Sequence, residues 1–204
     1  MRGFTVTLLN TTIPRIIGAC FYYPPYSNSF SQLTGALSEL ADLFPWPQPA
    51  LIRQHAEQIS QVDLALLDYD YSVLFEGQGE MPAPPWSSVY LEQDNLLMGE
   101  STQRYREFLL SNGVVTDTEN PEPDDQFGLM LMAFAYLLES DKSQAAIELL
   151  GQYILPWAGR YLQLVSQYDS GQRFYPLLAQ IADIYLQTLQ QQLDLNEKPT
   201  DLYL

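Results

Sequence analysis

The 204-residue chain is 47% hydrophobic, enough to bury a sizeable core, which excludes a disordered polypeptide. Its 25 acidic and 9 basic side chains leave a formal net charge of −16, a field that disfavours nucleic acid and anionic membrane surfaces and favours a cationic peptide. Cys20 is the single cysteine, so an intrachain disulfide and a cysteine-based zinc cluster are excluded, and its apolar neighbours predict a buried thiol.

Met1 to Asn10 holds one basic residue and only a brief apolar stretch, too little for a secretory signal. The first predicted helix carries Ile13, Ile16, Ile17, Cys20 and Phe21 on one face, with Thr11 or Thr12 as cap and Pro14 in its first turn. Tyr22-Tyr23-Pro24-Pro25 ends it. Phe30, Leu33, Leu37 and Leu40 form a second stripe, and the prolines at 45, 47 and 49 break the chain. A third helix is predicted over Ala50–Ser60, with His55 on its polar, exposed face. Leu64, Leu67, Tyr71 and Leu74 mark a fourth.

From Glu76 to Gly99 the helical pattern stops in a Pro/Gly-rich segment, the kind of long irregular stretch that is often functional. Helix resumes near Ser101 and stops at Asn112-Gly113. An acidic loop follows, Thr116 to Asp125. Phe127, Met130, Leu131, Phe134 and Leu138 then mark a strongly apolar helix. Ile147, Leu150 and Ile154 mark the next, Pro156-Trp157 opens another, and the last runs from Leu177 to Leu193. No apolar run approaches the ~20 residues that span a bilayer. The expectation is a single all-α helical-bundle domain over residues 1–204, cytoplasmic, with the irregular segment at 76–99. It should be a monomer, with a dimer available by exchange of helical halves across that segment.

Catalytic signatures are missing. The sequence holds no phosphate loop, dinucleotide fingerprint or nucleophile elbow, so efficient nucleotide hydrolysis is not expected. His55 is the only histidine, which excludes histidine-rich metal sites. No metal or cofactor is expected. A carboxylate-dependent hydrolase is the distant alternative, because paired acids exist in any acidic chain and none stands out.

Two loops carry information. Met81–Tyr90 combines stiffening prolines with Trp86 and Tyr90; it is either a loop pinned to the core by Trp86 or a preorganised peptide-contact surface. Glu119–Gly128 gathers acids before an apolar helix; Asp124 or Asp125 either caps that helix or forms an acidic mouth for a cationic ligand.

Several segments resemble one family. Tyr22-Tyr23-Pro24, Tyr71–Phe75 followed by Glu76-Gly77, Pro84–Leu91, Gly99–Thr102, Glu122–Gly128 and Leu155-Pro156-Trp157 are similar to the TorD/DmsD family of redox-enzyme maturation chaperones. The order and spacing of these segments, from about Ile16 to Leu189, carry the resemblance, which is closest to the DmsD branch serving dimethyl sulfoxide reductase. It implies an all-α fold, no enzymatic activity and a cytoplasmic role. Such chaperones bind the twin-arginine leader of an apo molybdopterin oxidoreductase, hold it until its cofactor is inserted and release it for export by the Tat translocase. Another client, such as nitrate reductase, is the alternative. The family commonly carries Asp-His where this chain has Asp125-Gln126, so a role for an ionisable group there is lost and neutral hydrogen bonding is kept. A twin-arginine leader has a cationic head and an apolar middle, and arginine pairs bidentately with carboxylate. The expected peptide-binding residues are therefore Asp124 and Asp125 near the arginines, Tyr22, Phe75, Trp86 and Tyr90 in the apolar groove, with Pro85 and Gln126 beside them.

Overall fold

The computed structural model describes residues 9–77, 79–115, 122–169, 171–195 and 200–204. Ten α-helices are described: α1 (Thr12–Tyr22), α2 (Asn28–Thr34), α3 (Pro49–Ser60), α4 (Leu67–Phe75), α5 (Ser87–Leu91), α6 (Glu100–Ser111), α7 (Phe127–Glu139), α8 (Ser143–Leu149), α9 (Leu155–Gln167) and α10 (Phe174–Gln192). Short 3₁₀ turns cover Leu37–Asp42 and Leu64–Leu66, and a π-helical turn over Leu150–Ile154 joins α8 to α9. The fold is all-α; among the described residues the only extended pairing is an isolated antiparallel bridge between Trp86 and Gln126.

The stripes read from the sequence are the buried faces. Ile13, Ile16, Ile17, Cys20 and Phe21 are all buried on α1. Burial pushes the Cys20 thiol up to about 12, so it stays protonated and inert. The apolar helix α7 packs on α1 at backbone distance: a Cβ on Gly18 would lie 2.7 Å from the Gly128 carbonyl and 3.0 Å from Leu131 Cβ. Only glycine permits that approach. An aromatic cluster ties this pair to the rest of the bundle. Phe21 meets Phe127 edge-on at 5.1 Å, Phe75 at 6.1 Å and Tyr161 at 6.0 Å. Trp157 stacks at 5.2 Å on Tyr90.

Three expectations need correction. The stripe from Phe30 to Leu40 is two elements, α2 and a 3₁₀ turn, separated at Gly35-Ala36. The segment at 76–99 contains the short helix α5. His55 is buried, 9% exposed, rather than on a polar face. It sits three residues after Ile52 and four before Ile59, on the α3 stripe that packs against α10. Burial lowers its pKa, partly offset by a side-chain hydrogen bond with Gln180.

Candidate functional site

The two loops singled out in the sequence meet in space. The Ser87 N–H donates to the Asp125 carbonyl at 3.1 Å, and the Phe127 N–H donates to the Pro85 carbonyl at 2.8 Å. This short antiparallel pairing sets the start of α5 beside the start of α7. Proline spacing explains it on one side: Pro84 and Pro85 keep that strand extended until helix begins at Ser87.

Asp125 is the internal fastener. It has no exposed surface, and its Oδ2 accepts from the Ser88 N–H at 2.8 Å, Ser87 Oγ at 3.0 Å and Thr102 Oγ1 at 3.1 Å. One carboxylate thus caps α5 and holds α6. The expectation that Asp124 or Asp125 caps α7 is corrected: Gln126 is the cap, its Oε1 accepting from the Leu129 N–H at 3.0 Å. Its Nε2 donates to the Phe21 carbonyl at 2.9 Å, joining α7 to the end of α1.

The outer side of the junction has a different chemistry. Trp86 is half-buried, and its Nε1–H donates to Glu122 Oε1 at 2.6 Å. Burial raises the Glu122 pKa; the Trp86 N–H opposes this, and the nearby Asp125 charge adds to it. The Asp124 side chain is 14% exposed and binds the Arg106 guanidinium on α6. Glu122 therefore stands against an indole at the surface, and Asp124, two residues on, already seats a guanidinium. Tyr22 closes the near edge at the end of α1. Its carbonyl accepts from Tyr71 Oη at 2.7 Å, and its ring meets Tyr23 at 5.0 Å.

Of the expected binding residues, Tyr22, Pro85, Trp86, Asp124, Asp125 and Gln126 come together here. Phe75 and Tyr90 do not line a groove. Phe75 is 7% exposed among Phe21, Tyr71 and Tyr175, and Tyr90 is fully buried against Trp157 and Tyr161. Both alternate with the helix period toward the core rather than outward. Glu122 and Arg106 were not among the expected residues. Arg106 lies one helical turn after Thr102, whose hydroxyl binds Asp125, but that contact is visible only in the fold, so the sequence carried no signal for Arg106.

Among the described residues no three His, Cys, Asp or Glu side chains gather as a metal-ligand set, and no helix is long and apolar enough to cross a membrane.

Residues 31–163 match the family described as nitrate reductase delta subunit. The Tat proofreading chaperone DmsD of Salmonella typhimurium is 32% identical over 187 residues, covering 88% of each chain. The chain belongs to the TorD/DmsD family of redox-enzyme maturation chaperones. A chaperone protein TorD from Shewanella piezotolerans is 28% identical over 138 residues, 64% of each chain. A crystal structure from Archaeoglobus fulgidus, described as a redox enzyme maturation protein, has the same fold: TM-score 0.57, 18% identity, 89% of this chain and 94% of that one. Within this TorD/DmsD chain, three of the segments that carried the resemblance, Pro84–Leu91, Gly99–Thr102 and Glu122–Gly128, are fastened together by the Asp125 side chain.

Proposed function

We propose that this chaperone binds the twin-arginine leader of an apo molybdopterin oxidoreductase, of the dimethyl sulfoxide reductase type, and holds it in the cytoplasm until cofactor insertion permits Tat export. It acts by binding rather than turnover, as a monomer or a dimer exchanging helical halves. The observation that supports the reading is Asp124. It is a mostly buried surface carboxylate that already receives a guanidinium, from Arg106, beside Glu122 and the Trp86 indole. A leader arginine supplies the same group and competes for or shares the same oxygens. Trp86 offers its ring face to the flanking apolar or cationic side chains. Asp125 keeps the surface in shape and is not itself in contact with the peptide.

Titration calorimetry with a synthetic peptide carrying two consecutive arginines and an apolar segment tests this. An affinity near micromolar, about −8 kcal/mol, is expected. Asp124→Asn should cost about 2 kcal/mol of binding, roughly 30-fold, with the melting temperature nearly unchanged. Full affinity in both Asp124→Asn and Glu122→Gln would return these acids to a purely structural role.

A further inference from the structure

The outer face of α7 carries an apolar stripe that the described residues cover only in part: Ala133 is buried, Leu129 and Met132 are half-buried and Tyr136 is exposed. Leu129, Met132, Ala133 and Tyr136 follow the 0, 3, 4, 7 spacing of one helix face. Together with Gly113, Val114 and Val115 they line a cavity of about 410 Å³. Val115 is 80% exposed and Tyr136 44%. The walls are held in place. Thr102 Oγ1 on Asp125 ties the start of α6 to the start of α7. At the other end Lys142 Nζ donates to the Asn112 carbonyl at 2.5 Å, and the Val114 N–H folds back onto the Leu109 carbonyl at 2.9 Å. The groove is therefore part of the fold's frame.

Its place in the molecule selects an occupant. Leu129 lies one turn past Gln126, the residue that follows Asp124 and Asp125. The groove thus starts beside the acidic pole and runs about 10 Å away from it, two helical turns, to Tyr136. Beyond Tyr136 the Glu139 carboxylate is already paired with Arg15 at 2.5 Å. The order is acid, then apolar, which complements a ligand that is cationic first and apolar next. A second copy of the chain fits less well, since a stable dimer buries about 800 Å² per partner and this groove is lined by seven residues.

We propose that this groove takes the apolar segment that follows the arginines of the bound leader; the inference rests on the leader reading above. Calorimetry on the full chain separates the two. One peptide carries two arginines followed by an apolar segment; a second carries the same arginines followed by serine and glycine. Wild type should prefer the first by at least about tenfold. Val115→Glu and Tyr136→Glu, both at exposed positions, should abolish that preference while leaving the second peptide's affinity unchanged. A photo-reactive group in the apolar segment should label residues 129–136 of the wild-type protein, a readout that needs no variant. Retained preference in both variants, or labelling confined to the Trp86 side, overturns the groove but leaves the leader reading standing. Light scattering that shows a wild-type dimer dissociated by Val115→Glu also overturns it, in favour of self-association. No binding of either peptide by wild type overturns the leader reading and this inference with it.

Discussion

Asp124 and Asp125 are neighbours in the chain and opposites in the structure. Asp125 is sealed, with three donors converging on one oxygen. Asp124 stands at the rim and holds the Arg106 guanidinium, on a side chain that is 42% exposed. The same carboxylate thus serves as an internal fastener in one place and as a surface ion pair in the next. Burial decides which: donors shut away from water have no other partner, whereas a rim guanidinium can return to solvent at little cost.

The contrast is sharpest if Asp125 is removed. Asp125→Ala leaves the Ser87 hydroxyl, the Ser88 N–H and the Thr102 hydroxyl without their acceptor. A loss of about 3 kcal/mol of stability is expected by chemical denaturation. A loss below ~1 kcal/mol would mean that the junction relaxes freely and that the two aspartates differ less than their surroundings suggest. Next in size is the seam behind them. Gly18→Ala drives a methyl group toward the Gly128 carbonyl and should cost about 2 kcal/mol, read as a lower denaturation midpoint at unchanged slope.

The smallest effect probes the rim. Glu122 has a pKa raised by burial, so on acidification it gains its proton before an ordinary glutamate does. Only its ionised form attracts a guanidinium. Affinity for an arginine-bearing peptide should therefore strengthen, by less than about tenfold, as pH rises from about 4.5 to about 7. Glu122→Gln should flatten that part of the profile. A wild-type profile with no slope there would remove Glu122 from the cationic site.

These effects also mark what could be read without coordinates. Helix positions and core faces follow from apolar period, because burying a stripe is the dominant local demand. The π-helical turn at Leu150–Ile154 was hidden, since the four-residue spacing of its buried Leu150 and Ile154 fits an α-helix equally well. The two loops were legible as unusual composition, and their meeting was not. Antiparallel pairing of Pro85–Ser87 with Asp125–Phe127 joins residues some 40 apart in the chain, and no local period encodes it. His55 and Tyr90 were misplaced for a common reason. Both residue types are amphipathic, so type alone does not settle which way they face; for His55 the spacing from Ile52 does. Cap chemistry misled in the same way: an aspartate before a helix suggests a cap, but Gln126 stands nearer the first free N–H groups and takes the role.

Gln126 has one more consequence. Its amide is an acceptor at one end and a donor at the other, and it uses both, toward Leu129 and Phe21. A neutral imidazole could also satisfy one of each. An imidazolium could not, because both of its nitrogens donate and the α7 cap would lose its acceptor. A histidine at this position would make the hinge between α1 and α7 a titrating joint near neutral pH. The glutamine makes it a joint without a protonation state, so acidification loosens the rim at Glu122 while this link between helices keeps its hydrogen bonds.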